Sequence, residues 1–201
     1  MATKRNDSIK KLVLTAVFMA ITAFLQLFAS SFTVGTVSFS IVLIPIVICG
    51  ILVGKMGGFL TGLTFGVITM VGGITGGDVF TATLMQSGTR GFLLTSLICL
   101  VKASMAGLLS AIVYKALKNT NQFVATICAA ATAPIVNTGL FILGMLTMTD
   151  ILNDAFLQGG SVIYFLVVVC AGVNFIIELL VNLIFAPAIY HLIKAVSKGK
   201  I

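Results

Sequence analysis

Apolar runs, broken by short clusters of glycine, serine and charge, fill the chain from about residue 9 to residue 194. A helix of about 20 apolar residues crosses the hydrocarbon core of a bilayer. Six runs qualify, at about 9–31, 38–54, 57–73, 91–117, 122–148 and 162–194. The second and third are short, and Gly54-Lys55-Met56-Gly57-Gly58 between them reads as a tight turn. No stretch alternates apolar and polar residues as a half-buried strand would. In lipid, only helices and closed barrels satisfy their own backbone polar groups. The pattern therefore predicts an all-α bundle of six transmembrane helices, one integral membrane domain over residues 1–201.

Composition sharpens this. The chain is 59% hydrophobic and 8% charged, whereas a soluble domain is about one quarter charged. No stretch is long enough for a soluble catalytic or nucleotide-binding domain. The net charge of +7 is explained by where the charges fall. Six spans put both termini on one side, with Lys4, Arg5, Lys10, Lys11, Lys55, Lys115, Lys118, Lys194, Lys198 and Lys200. The other side holds Arg90 with Asp78, Asp150 and Asp154. Basic residues stay cytoplasmic. Both termini are thus expected in the cytoplasm of a prokaryotic cell, with the chain multi-pass in its plasma membrane. No basic excess is left over for a nucleic acid. The first run follows basic residues as a signal peptide does. It is too long for one, and Leu27-Phe28-Ala29 is not a cleavage site, so it reads as a retained span. Cys49, Cys99, Cys128 and Cys170 lie inside apolar runs without metal-ligand spacing and read as small hydrophobes. No metal site is expected.

Chemistry concentrates in few places. Residues 72–90 are the longest polar, glycine-rich interruption and end on Arg90. That arginine reads either as an interfacial snorkeller or as the partner of an anionic ligand. Gly73, Gly76 and Gly77 would let the backbone there close over such a ligand. Lys102 and Glu178 are the opposite charges within the spans, at similar depth, and are expected to form a buried structural pair. Pro134 interrupts the fifth span beside Asn137, a device that builds ligand sites in membrane bundles. Asn174, Glu178 and Asn182, spaced by four, form one polar stripe that must face the bundle interior. Two amides and a guanidinium, Asn137, Asn174 and Arg90, suit a small ligand with hydroxyls or amides and a carboxylate. Gly54, Gly58, Gly62 and Gly66 form a small-residue seam, and Ala16 and Ala20 share one face of the first span.

An intramembrane enzyme is disfavoured. Ser87-Gly88 lacks the leading glycine of a rhomboid-type motif, and His191 falls at the opposite membrane surface. Asp78 follows Thr75-Gly76-Gly77, not the glycine pattern of an aspartyl protease. An autonomous carrier or channel stays open on the residues alone.

Four segments carry a resemblance: KKLVLTAVFMAI at 10–21, LIPIVICGILVGKMGGFLTGLTFGV at 43–67, PIVNT at 134–138 and NFIIELLVNLIFAPAI at 174–189. With six spans and inside termini, the chain resembles the substrate-binding S component of an energy-coupling factor (ECF) vitamin transporter over nearly its whole length. PIVNT and the arginine before the fourth span look most like the pantothenate-specific members, with folate and hydroxymethylpyrimidine types close by. The resemblance implies a subunit that takes a water-soluble vitamin from outside. It implies docking on a shared transmembrane coupling subunit, through Ala16 and Ala20, with two ATPase subunits that use ATP. The chain has no phosphate-binding loop motif of its own, so neither an enzyme activity nor a cofactor is expected of it.

Overall fold

The computed structural model describes residues 2–29, 33–34, 37–38, 41–157 and 159–197. Its long helices are α1 (Ala2–Ala29), α3 (Lys55–Thr75), α5 (Thr89–Leu117), α6 (Gln122–Met145) and α9 (Val173–Ser197). Shorter helices are α2 (Leu43–Leu52), α4 (Val79–Gln86), α7 (Thr149–Leu152) and α8 (Val162–Tyr164). A 3-10 turn (Leu146–Met148) and a π turn (Asn153–Leu157) flank α7, and a π stretch (Phe165–Gly172) joins α8 to α9. Five helical segments are long and apolar enough to cross a membrane: Ser8–Phe28, Lys55–Thr75, Thr89–Leu117, Gln122–Leu157 and Val162–Val196.

The second expected span is different. At about 1.5 Å per residue, the 10 residues of α2 rise roughly 15 Å, half of a hydrocarbon core. Pro45 sets its start. In the first turn the missing N–H of proline is harmless, but its ring would collide with the carbonyl four residues back if the helix ran on upstream. The chain before α2 instead forms a small antiparallel pair, β1 (Thr33–Val34) with β2 (Val37–Ser38), which the all-α expectation did not include. Thr33 pairs with Ser38 and Val34 with Val37. Residues 30 and 31, the end of the first expected span, lie outside the described residues, as do Lys198 and Lys200.

The tightest packing joins α3 to α5. A Cβ on Gly58 would stand 2.5 Å from the carbonyl oxygen of Gly107, and one on Gly66 2.5 Å from that of Cys99. A Cβ on Gly62 would overlap the carbonyl of Ala103. As the α3 number rises the α5 number falls, so the helices are antiparallel. Lipid offers no hydrophobic drive between helices, and close backbone approach replaces it. Gly54 is not part of this seam. It adopts φ 109° in the turn before α3, a conformation that glycine takes without strain. Gly50 of α2 meets the same region: a Cβ on it would stand 3.2 Å from Ala111 Cβ and 3.3 Å from the Gly107 carbonyl oxygen.

The other helices follow from their partners. Gln26 of α1 donates to Thr69 Oγ1 of α3 at 3.4 Å, and Phe123 at the start of α6 meets Tyr190 near the end of α9 at 5.4 Å. Lys10, Lys11, Lys55, Lys115, Lys118 and Lys194 therefore gather at one end of the bundle, and Asp78, Arg90, Asp150 and Asp154 at the other. One apolar cluster, with Leu43, Ile46, Phe65, Ala103 and Ile189, fills the lysine end. A second, with Phe80, Ile98, Met145, Leu152 and Phe165, fills the Arg90 end.

Substitution in the seam should be costly. Gly62→Val is expected to destabilise the protein by about 1–3 kcal/mol or more. Gly139→Ala, where a Cβ meets nothing within 4 Å, should leave the melting temperature in detergent near the wild-type value. Equal melting temperatures for the two variants would show that α3 and α5 do not approach so closely.

Candidate ligand-binding site

Between the two apolar clusters lies a polar layer. On α9, the four-residue spacing of Asn174, Glu178 and Asn182 sets all three on one face. Glu178 is 2% exposed and Asn182 is fully buried. Asn174 Nδ2 donates to Glu178 Oε1 at 3.3 Å, and Asn182 Nδ2 donates to the Glu178 carbonyl at 2.8 Å. From α6, Asn137, 5% exposed, faces the same carboxylate. The helix runs unbroken through Pro134, one turn before Asn137. Lys102 of α5 reaches the layer from the third side.

A cavity of about 50 Å³ opens here, lined by Lys102, Asn137, Thr138, Phe141, Cys170 and Asn174 among others. That volume is room for one or two waters. Four oxygens in the layer are buried without a hydrogen-bond partner among the described residues: Asn137 Oδ1, Asn174 Oδ1, Glu178 Oε2 and Asn182 Oδ1. All are acceptors. Buried polar groups are almost always satisfied, so these acceptors call for donors from water or a ligand. A larger hollow of about 290 Å³ lies beyond Thr138 and Ala171, between α6 and the π stretch. Its lining is almost wholly apolar, so it offers a polar ligand little to recognise.

The expected Lys102–Glu178 pair is not a direct contact. Among the described residues the one salt bridge is elsewhere. The Lys102 ammonium stands 5.2 Å from the Phe141 ring centroid and 5.9 Å from that of Phe65. Glu178 takes the Asn174 amide instead. The two charges share the layer and feel one another's field without touching.

Arg90 is placed away from the asparagines. Its Nη1 meets Asp150 Oδ2 at 2.6 Å, and its Nη2 donates to the Thr147 carbonyl at 3.0 Å. The two charged side chains are 60% and 55% exposed. Sequence reasoning saw Arg90 and Asp150 on the same side but not that they meet, because 60 residues separate them. The polar stretch at 72–90 is also less of a loop than expected. Asp78 caps α4, accepting from Thr81 N at 3.2 Å and Thr81 Oγ1 at 2.9 Å. Gly73 is buried against Thr81 and Met85. Gly76 ends α3 in the left-handed conformation, φ 79°. Gly77 is exposed and borders a separate hollow beside Gln26 and Asp78. Gly73, Gly76 and Gly77 do not line the Lys102–Asn137–Asn174 cavity.

Aromatic rings close the cavity toward the Arg90 end. Phe80 of α4 packs on Phe141 at 6.0 Å, on Phe156 at 5.1 Å and on Phe165 at 6.4 Å. These phenylalanines, Thr138 and the siting of Lys102 in the cavity were missed from sequence. In a chain this apolar, a phenylalanine carries no mark of its partners. The spacing of Thr138 beside Asn137 was the one signal available.

Ala16 and Ala20 are both exposed on α1. They share its outer surface with Leu12, Val13, Val17 and Phe24. The inner face of the same helix carries Thr15, Thr22 and Gln26, each at most 8% exposed.

Curated proteins give no significant match to the chain. The model of one family, described as ECF transporter, substrate-specific component, matches residues 10–190. Members of that family are substrate-binding transport subunits, which fits apolar spanning helices around a small polar layer and makes this chain a membrane-embedded protein. With the match covering nearly the whole chain, the protein belongs to the substrate-specific component family of ECF transporters.

Proposed function

We propose that this S component captures pantothenate from outside the cell and hands it to a shared transmembrane coupling subunit driven by two ATPases. One observation carries the choice of vitamin: the polar layer is rich in acceptors that lack donors. Pantothenate brings donors, two hydroxyls and an amide N–H, and one carboxylate. Its donors suit Asn137 Oδ1 and Asn174 Oδ1, on the two asparagines that line the cavity. Ligand pockets usually enclose about 300–1,000 Å³, so the 50 Å³ cavity is the deep end of the site. The body of the ligand extends toward the Arg90 end by displacing the Phe80–Phe141–Phe156 packing that closes the cavity there, and that end faces outward if the lysine end is cytoplasmic. Both termini are then inside.

A second reading has one feature in its favour. A buried carboxylate beside two amides also suits the adjacent N–H donors of an aminopyrimidine or pterin ring. Glu178 with Asn174 and Asn137 offers that arrangement, so hydroxymethylpyrimidine and folate are the alternatives.

The exposed apolar face of α1 is assigned to the coupling subunit. Ala16 and Ala20 lie one turn apart, and small side chains allow another helix to approach closely. An outer helix whose buried side is polar and whose exposed side is apolar suits either lipid or a membrane-embedded partner. The two alanines favour the partner.

Two experiments test these assignments. In a thermal-shift panel on the purified chain, pantothenate is expected to raise Tm, by about 2.7 kcal/mol of added stability at 100 times its Kd. A shift with folate or hydroxymethylpyrimidine and none with pantothenate would replace the vitamin and leave the transport role standing. Separately, Ala16→Trp and Ala20→Trp should abolish co-purification with the coupling subunit while pantothenate affinity stays within about twofold of wild type, near the few-tenths scale of a neutral surface change. Intact assembly in both variants would return these alanines to the lipid-facing surface.

A further inference from the structure

Among the described residues, two cations stand in the half of the bundle where an anionic ligand would enter, Arg90 and Lys102. We infer that Lys102, not Arg90, holds the carboxylate of the ligand, at the cavity it shares with Asn137 and Asn174. This rests on the reading of that cavity as the deep end of a vitamin site.

Arg90 is already engaged. Asp150 and the Thr147 carbonyl occupy its guanidinium, and the pair stands in largely exposed surroundings. Turning it toward a ligand would break both bonds. Lys102 is in the opposite condition. It is half-buried and has no carboxylate within 4.0 Å and no hydrogen-bond acceptor among the described residues. An ammonium has three donors and needs acceptors. Phe141 and Phe65 give it ring faces at 5.2 and 5.9 Å, a partial substitute.

Depth removes the other source of a counter-charge. At about 1.5 Å per residue, Lys102 lies roughly 20 Å along α5 from Thr89. Lipid phosphates begin about 15 Å from the bilayer midplane, out of reach of a side chain at this depth. The hollow on the other side of Lys102, between α5 and α6, is lined by Leu97, Val101, Leu140 and Leu143 and offers no anion. The polar side of Lys102 is therefore the cavity. Glu178 lies across the layer, but one of its oxygens already accepts from Asn174.

The arrangement selects a chemical class. One cationic donor stands beside orphaned neutral acceptors on Asn137 and Asn174. The complement is a small carboxylate that carries hydroxyl or amide N–H donors on its body. The carboxylate must sit on the Lys102 side and the donors on the side of the asparagines, which keeps like charge away from Glu178.

The test is equilibrium binding to the purified full chain by titration calorimetry. Two compounds are compared: pantothenate, and its alcohol analogue with a hydroxymethyl group in place of the carboxylate. Wild type is expected to favour pantothenate by about 10- to 150-fold, the value of one charge-assisted hydrogen bond. Lys102→Met should bind the two alike, and Lys102→Arg should keep most of the preference. Lys102→Met leaves Glu178 without its neighbouring charge. Lys102→Met/Glu178→Gln, which removes both charges, is therefore measured beside it and should also lose the preference. Preference retained in either of these variants overturns the assignment. So does a preference that Arg90→Ala abolishes and Lys102→Met keeps. Equal affinity of wild type for the two compounds rejects the anchor and leaves the vitamin standing. Binding of neither compound rejects the vitamin and the anchor together.

Discussion

The contact on which the bundle depends is backbone against backbone, α3 against α5. At Gly58, Gly62 and Gly66 there is no room for a single added carbon, because carbonyls of the facing helix occupy the space. Lipid is as apolar as leucine, so apolar side chains do not by themselves draw helices together in a membrane. Close approach does, by multiplying dispersion contacts that are individually small. The seam also fixes the level of everything attached to it. It sets Lys102, next to Ala103, at the depth of Phe65, and it brings α2 in at Gly107.

At the level the seam sets, the protein tolerates an arrangement that most cores avoid. A buried polar group without a partner costs on the order of 1–3 kcal/mol. Here four such oxygens lie within one layer, beside a lysine that touches no carboxylate. Two apolar clusters hold the layer from either end. Two of the four, on Asn137 and Asn174, border the small cavity, where water or a polar ligand can reach them.

The polarity of α1 follows the same division between inside and outside. Thr15, Thr22 and Gln26 face inward, and Leu12, Val13, Val17 and Phe24 face away. A soluble helix of this composition would be turned the other way. Lipid and a partner's transmembrane helix both accept the apolar face. The small residues on that face decide how closely a partner can come.

The sequence by itself determined what local chemistry determines. Apolar run length placed five spanning helices, although the fifth run, expected to end at 148, continues to Leu157, and the second, expected over 38–54, holds only the short α2. Glycine at every fourth position announced the α3 seam, and the spacing of Asn174, Glu178 and Asn182 announced an inward polar stripe. These signals depend on residues one or two turns apart, so a linear reading contains them. The tertiary structure alone decided the pairings. Arg90 turned to Asp150, 60 residues away, and Lys102 came to rest over Phe141 and Phe65 short of Glu178. Gly73 and Gly76 went to packing and to ending α3, where a ligand-covering loop had been expected. Depth along a helix is legible from residue counts, but the direction a side chain takes around the helix depends on which neighbours surround it. In a sequence where nearly every neighbour is apolar, only packing distinguishes one candidate partner from another.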